Sequence, residues 1–100
     1  MASTLASRGD AMLAIKDISA ARKLYEQAAN LGSAAAATDL ARTYDPDYIG
    51  KLGVIGIRPD LVLAASWYDR AATLGDRQAA QRMHELDAML GTPAPARATP

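Results

Sequence analysis

A segment of this chain occurs twice, with the second copy 43 positions after the first. Both copies carry alanines, a tyrosine and a glycine at the same spacing: Ala21, Tyr25, Ala28, Gly32 and Ala36 in the first, and Ala64, Tyr68, Ala71, Gly75 and Ala79 in the second. A fixed offset that carries small residues, an aromatic residue and a glycine together is typical of a helical repeat array rather than of an enzyme pocket. Such arrays act mainly as binding scaffolds, so the sequence constrains the architecture far more than the partner.

The repeated segment has the spacing of a helix, a tight turn and a second helix. Its alanines and its tyrosine lie on one helical stripe, because steps of four, seven and eight residues are close to whole turns. Small side chains there let a neighbouring helix approach closely, and the two tyrosines fill the space between layers. Gly32 and Gly75 are expected just past a helix end, where glycine accepts left-handed backbone. Ser33 and Asp76 follow directly and are predicted to cap the next helix.

The composition fits one small all-α domain and excludes several classes of function. Half of the 100 residues are hydrophobic, alanine is abundant and phenylalanine is absent, which favours closely packed helices over a bulky sheet core. Eleven basic and eleven acidic residues cancel without a run of either sign, so no nucleic-acid partner is predicted. The absence of cysteine excludes disulfides and thiolate catalysis. No apolar stretch approaches the roughly 20 residues that span a bilayer, so no membrane insertion is predicted and the compartment, cytoplasmic or periplasmic, stays open.

The pattern predicts a short α-solenoid of about five antiparallel helices within residues 4–91. The first helix runs from about Thr4 to Ile15, and Asp17 and Ser33 cap the second and third helices. Asp60 caps the fourth helix, and the fifth closes the array over residues 76–90. The two units span about 4–32 and 33–75. The tail, residues 92–100, contains three prolines and no periodicity and is predicted to be a disordered tail or linker.

A loop is predicted over residues 45–59, between the third and fourth helices. Asp45-Pro46 ends the third helix, because the residue before a proline disfavours helical backbone. Residues 52–57 of the loop carry four large apolar side chains, Leu52, Val54, Ile55 and Ile57, which is too many for a fully solvated segment. We therefore expect it to fold back and cover the layer between the two units.

The second unit resembles a known repeat family. Leu52-Gly53-Val54, Pro59-Asp60 and the series Ala64, Trp67, Tyr68, Ala71, Ala72, Gly75, Asp76 and Ala79 are similar to the Sel-one-like repeat, a relative of the tetratricopeptide repeat with a longer inner loop. The first unit is similar to the shorter tetratricopeptide spacing, with Leu24 in place of the tryptophan. The resemblance implies an α-solenoid whose members scaffold protein complexes, often in bacterial signalling or envelope regulation and in eukaryotic quality control. It implies no catalytic residues.

No group of residues in the sequence forms a catalytic, cofactor or metal site. His84 is the only histidine and is interpreted as a surface residue. Asp45 and Asp47 begin like a calcium loop, but the third acidic position and the closing glutamate are missing, which favours a proline-broken turn. Three glycines between residues 50 and 56 lack the preceding strand and the Gly-Lys-Ser/Thr of a phosphate cradle. We predict no enzymatic activity, no cofactor and no metal.

The predicted docking surface is the free face of the first helix of each pair, because these helices line the concave side of such arrays. The candidate partner-binding residues are Thr38, Asp39 and Arg42 on the third helix, and Gln78, Gln81, Arg82 and Glu85 on the fifth. The residues predicted to build the repeat itself are Ala21, Tyr25, Ala28, Gly32, Ala64, Trp67, Tyr68, Ala71 and Gly75. Among these, Trp67 is interpreted as a helix-packing residue rather than a ligand platform.

The expected function is a non-catalytic interaction module that binds a protein or peptide partner. One alternative is a structural spacer, or a segment that self-associates through the ends of the solenoid. A less favoured alternative is a glycan- or cell-wall-binding domain, which would require exposed, stacked aromatic side chains. A docking module needs a groove that buries about 600 Å² or more on each side, whereas a spacer needs no groove.

Overall fold

The computed structural model describes residues 1–91, which form six α-helices and no strand. The helices are α1 (Ala2–Ala14), α2 (Ile18–Asn30), α3 (Ala34–Arg42), α4 (Pro46–Leu52), α5 (Leu61–Thr73) and α6 (Arg77–Leu90). The all-α class predicted from the sequence is confirmed. The tail predicted for residues 92–100 lies outside the described residues.

The predicted caps begin α2, α3, α5 and α6. Asp17 and Asp60 accept hydrogen bonds from the third residue beyond them at 3.1 and 3.0 Å, and Ser33 does the same at the start of α3. One carboxylate oxygen of Asp76 accepts hydrogen bonds from the backbone N–H groups of Gln78 and Ala79 in the first turn of α6. Each acceptor satisfies a backbone N–H that has no partner within its own helix. The backbone after α2 and α5 then turns through Gly32 (φ 98°) and Gly75 (φ 116°), a conformation that side chains with a Cβ rarely adopt.

The long helices stack in chain order, so that α1 packs on α2, α2 on α3, α3 on α5 and α5 on α6. The alanines predicted at these contacts are at most 1% exposed: Ala21, Ala28, Ala36, Ala64, Ala71 and Ala79. Tyr25 and Tyr68 are buried between them. Helix α1 approaches α2 so closely at Gly9 that a Cβ there would lie 2.7 Å from the Tyr25 ring. The core therefore consists of closely spaced helices with small side chains at their contacts, and the two tyrosines fill the larger spaces between them.

The segment predicted as a loop contains an additional helix, α4, so the described residues have six helices rather than about five. Asp45 caps α4 by accepting from the backbone N–H of Asp47 at 3.0 Å, and Pro46 occupies the first turn. Proline disfavours helix for the residue before it but is well suited to a first turn, so Asp45-Pro46 both ends α3 and starts α4. Within the apolar stretch Leu52, Val54 and Ile57 are half-buried, whereas Ile55 is 97% exposed. Ile49 of α4 is the buried residue instead.

Candidate functional site

A cleft of about 360 Å³ opens between α3, α4 and α6. Four of the seven predicted partner-binding residues line it: Thr38 and Arg42 from α3, and Gln78 and Arg82 from α6. Helix α4 supplies Tyr48 and Lys51, which the sequence did not indicate because the segment was interpreted as a loop. The cleft therefore joins the first helices of two successive pairs with the inserted helix between them.

Arg82 is the centre of an ion cluster at the base of the cleft. Its guanidinium holds Asp45 with two nitrogens, Nε at 2.8 Å and Nη2 at 2.9 Å, and it reaches Asp47 and Glu85 at 2.9 Å each. The hydrogen bond with Asp45 is the main reason that the pKa of Arg82 is raised above its ordinary value. Such a bidentate pair fixes geometry as well as charge. Since its nitrogens are engaged within the chain, Arg82 is a structural residue of the cleft, and Glu85 is engaged with it.

Asp45, like Asp47, belongs to this cluster but was not among the predicted partner-binding residues. It is 2% exposed and accepts hydrogen bonds from the Tyr68 hydroxyl at 2.8 Å, from Arg82 and from the backbone of Asp47. Burial opposes its ionisation, but the hydrogen bonds from Arg82, Tyr68 and Asp47 outweigh burial and hold its pKa below the ordinary value. The signal that could have found it is the Asp-Pro pair, which is a helix start as well as a helix end.

Thr38 lies inside the helix packing and not on a free face, so that prediction was wrong. Its side chain is buried, and its hydroxyl donates to Asp76 Oδ2 at 2.6 Å. This hydrogen bond is the main reason that the pKa of Asp76 is lowered. Asp76 caps α6, and its side chain reaches Thr38 in the middle of α3, so Thr38 makes a contact with another helix pair instead of facing solvent.

Arg42 and Asp39 remain on the accessible side of α3. The Arg42–Asp39 ion pair is long, at 3.4 Å, and the two side chains are 39% and 30% exposed. The Arg42 guanidinium also lies 5.4 Å from the centre of the Tyr48 ring. Burial, and then repulsion from Asp10 and Asp76, raise the pKa of Asp39 although Arg42 opposes the shift. Arg42 is thus held weakly and can exchange its partner at little cost.

The other predicted partner-binding residues, Gln78 and Gln81, are exposed on α6, and Gln78 borders the cleft. Trp67 is half-buried against the core, with Arg70 5.6 Å from the centre of its ring. His84 is exposed, as interpreted from the sequence. Within residues 1–91, no three or more His, Cys, Asp or Glu residues are grouped so that they could hold a metal ion. The same residues contain no helix with the length and apolar character needed to cross a membrane.

Consecutive helix pairs that repeat the same spacing of buried alanines define a helical repeat protein of the α-solenoid class. A family model described as Sel1 repeat matches residues 5–33 and 34–76, and the chain belongs to the Sel1 repeat family. The resemblance inferred from Trp67-Tyr68 and its neighbours is confirmed. Sel1 repeats are generally non-catalytic protein-interaction modules. No curated protein and no solved structure gave a significant match to the chain.

Proposed function

We propose that this chain is a non-catalytic scaffold module that binds a peptide or a loop of a partner protein in the cleft between α3, α4 and α6. The observation that carries the proposal is the arrangement of side chains around the cleft. Arg42, Lys51 and Gln78 border an opening of about 360 Å³ beside the Tyr48 ring. This volume suits one or two side chains of a peptide whose remaining length lies along α3 and α6.

The base of the cleft is fixed before any partner arrives. The Arg82 cluster ties α6 to the start of α4, and the Thr38–Asp76 hydrogen bond ties α6 to α3. A site whose walls are already ordered loses less conformational entropy on binding than a mobile one. The cross-links therefore favour a recognition role for the cleft.

The border of the cleft offers hydrogen-bond donors. Arg42 and Lys51 carry charged donors, and the Gln78 amide can both donate and accept. Carbonyl oxygens and carboxylates of a peptide are suitable acceptors for these groups, and Arg42 can leave its long pair with Asp39 to bind them. The aromatic face of Tyr48 adds a surface on which an apolar or planar side chain can pack.

Site-specific photo-crosslinking in the native host tests the proposal. A photoreactive residue at Gln78 or Lys51, which are exposed beside the cleft, should capture a partner, whereas one at Ser66 or Thr73, which are exposed on α5, should not. The double variant Arg42→Glu with Gln78→Glu should abolish capture at Lys51 while the helical circular dichroism stays unchanged. A matched control, Arg58→Glu with Ser66→Glu, makes the same change in charge outside the cleft and should leave capture intact.

The alternatives give different products in this experiment. A spacer would yield no crosslink at any position, and a self-associating segment would yield a product with twice the mass of the chain. A glycan-binding role is disfavoured because all five aromatic residues lie within residues 1–91 and each is buried or half-buried. A place in bacterial signalling or envelope regulation would be supported only if the captured partner belongs to such a system.

A further inference from the structure

Two cations at the border of the cleft have no short ion pair. The Arg42 guanidinium lies 3.4 Å from Asp39 and 5.4 Å from the centre of the Tyr48 ring. Lys51 is exposed and forms no ion pair within residues 1–91. Arg82, by contrast, forms three ion pairs of 2.9 Å or less. Arg42 and Lys51 are therefore the charged groups of the cleft that an incoming ligand can bind.

The carboxylates that line the cleft are already engaged. Asp45 and Asp47 both bind Arg82, so a cationic side chain of a ligand would have to compete with Arg82 for them. A carboxylate meets no such competitor at Lys51, and at Arg42 it replaces a long contact. Carboxylate and guanidinium groups also form short pairs with two parallel hydrogen bonds. Charge complementarity with the border of the cleft therefore favours an anionic side chain.

Asp39, the residue that Arg42 would leave, is surrounded by other carboxylates. Asp10 of α1 and Asp76 at the start of α6 both repel it. The Tyr25 hydroxyl of α2 donates to Asp10, so Arg42 is the one side chain within the described residues that donates a hydrogen bond to the Asp39 carboxylate. Burial, together with the repulsion, raises the pKa of Asp39 although Arg42 opposes the shift. Without Arg42 the same pKa would rise further.

We propose that the partner peptide presents an aspartate or glutamate side chain to the cleft, and that this carboxylate takes Arg42 from Asp39. The guanidinium then holds the partner with two hydrogen bonds, and Lys51 adds a second positive charge. A side chain is favoured over a chain terminus, because a peptide that continues along α3 and α6 has no end inside the cleft. The proposal rests on the function proposed above and names the side chain that the cleft selects.

The exchange links binding to a proton on Asp39. Once Arg42 has turned to the partner, Asp39 remains among like charges and its neutral form is favoured. The complex then holds more protons than the free chain, so affinity rises as the pH falls from the pKa of Asp39 in the complex towards its lower pKa in the free chain. The gain ends at about pH 4, where the carboxylate of the partner is itself protonated.

Three synthetic peptides that differ only in a central aspartate, asparagine or lysine test the proposal. Their ends are acetylated and amidated and their flanks are uncharged, and each is titrated with the full chain by fluorescence anisotropy. The aspartate peptide should bind about tenfold or more tightly than the other two. Its affinity should rise about threefold or more between about pH 7 and about pH 5. Calorimetric titration in two buffers with different heats of ionisation should show proton uptake over the same range.

The variant Asp39→Asn removes the group that both holds Arg42 and takes up the proton. It should bind the aspartate peptide about threefold or more tightly at about pH 7, without the pH dependence and without proton uptake. Arg42→Gln should lose the preference for aspartate. The control Asp69→Asn makes the same change on α5, outside the cleft, and should behave as the native chain. Helical circular dichroism of each variant verifies that the chain is folded.

Two sets of results would overturn the proposal. An affinity for the aspartate peptide that does not change with pH, or that is the same in Asp39→Asn, would exclude the exchange at Arg42. Tighter binding of the lysine peptide, equal binding of all three peptides or binding of none would exclude selection of a carboxylate. Crosslinking at Lys51 then decides whether the scaffold function is lost as well: capture of a partner there would retain that function, and no capture would remove both.

Discussion

The tyrosines at the repeated position, Tyr25 and Tyr68, each donate a hydrogen bond to an aspartate, but the two aspartates differ in their exposure to solvent. Tyr25 donates its hydroxyl to Asp10 and Tyr68 donates to Asp45. Burial, followed by the hydrogen bond to the aspartate, raises the pKa of both tyrosines, so both hydroxyls act as donors at all ordinary pH values. Asp10 is exposed, whereas Asp45 is buried. Water can replace the hydroxyl for Asp10 but not for Asp45.

Replacing each tyrosine with phenylalanine measures this difference. Tyr68→Phe should lower the free energy of unfolding by about 1–3 kcal/mol, because a buried carboxylate loses a donor. Tyr25→Phe should cost only about 0.5–1 kcal/mol, since the exposed carboxylate keeps its hydration. Urea denaturation of the two variants gives both values. Equal losses of unfolding free energy in the two variants would contradict the conclusion that Asp45 depends more on its tyrosine hydroxyl than Asp10 does.

The buried alanines leave no room for a longer side chain. Ala28 and Ala71 are fully buried at helix contacts, so Ala28→Leu or Ala71→Leu should cost about 1–3 kcal/mol through overpacking. Ala88→Leu, at an exposed position of α6, should change stability by about 0.5 kcal/mol or less. Thermal and urea unfolding report the effect. An unchanged midpoint for Ala71→Leu would show that this face of α5 is not a close contact.

Residue-scale features were predictable where they repeat and not where they are unique to one unit. The alanines, tyrosines and glycines recur with a fixed offset, and each is explained by helix geometry alone. Thr38 and Asp45 acquire their partners, Asp76 and Arg82, from another helix more than 30 positions away. Local periodicity carries no information on such pairs, because it depends only on neighbours within one helix.

At the scale of elements, α4 is held to the stack chiefly by its first turn. Asp45 and Asp47 bind Arg82 of α6. The backbone N–H of Asp60 donates to the Tyr44 carbonyl at 2.8 Å, and this hydrogen bond joins the two ends of the segment that contains α4. The sequence predicted where α3 stops and where α5 starts. It did not predict α4, because a helix of seven residues that contains a glycine is too short to show a helical period.

Arg82 should be far more important for stability than Arg42, although both were candidates for partner binding. Arg82→Met leaves Asp45 buried without its guanidinium and should cost about 3 kcal/mol, the lower end for a broken buried pair, because Arg82 is partly exposed. Arg42→Met breaks only a long, exposed pair and should cost about 0–1 kcal/mol. Urea denaturation compares them. Similar values would show that the cluster at Asp45 is solvated.

Acid should weaken the attachment of α4. The pKa of Asp45 is lowered in the fold below the value of about 3.9 for an unfolded aspartate, so its contribution to stability is complete above that pH. The contribution is lost as the pH falls below that value towards the folded pKa. Asp39 acts in the opposite direction, because its pKa is raised and its protonation relieves burial of a charge.

The variant Asp45→Asn isolates this contribution while it keeps a residue that can cap α4. It should be less stable than the native chain at neutral pH, and the difference should shrink as the pH is lowered below about 4. Urea denaturation at a series of pH values gives the two curves. Parallel curves over the whole range would exclude Asp45 as the titrating group.

At the scale of the whole molecule, the long helices make their most extensive contacts with their neighbours in the stack order. This arrangement was predictable, because the repeat fixes the order of helices and each helix has one apolar stripe. The cleft was less predictable, because it needs α4, which the sequence did not indicate.

The bridge from Arg82 to Asp45 and Asp47 joins α6 to the start of α4 and so bypasses α5. In a linear stack the terminal helices fray first, since each has a neighbour on one side only. At the C-terminal end, fraying of α6 also releases α4. The two helices should therefore open as one cooperative unit, at a higher free energy than α6 would need alone. At the N-terminal end, α1 is held by its packing on α2 and by the Tyr25–Asp10 hydrogen bond.

The array should therefore open from its N-terminal end. Native-state hydrogen exchange in increasing denaturant should show the amides of α1 exchanging before those of α6, and the amides of α4 and α6 exchanging together. In the variant Arg82→Met, the amides of α4 and α6 should exchange separately, and the opening free energy of α6 should fall to that of α1. A native chain in which α6 exchanges first would show that the bridge does not restrain it. We therefore expect one arginine to set the direction in which the helices open, and with it which terminal helix a protease first finds unfolded.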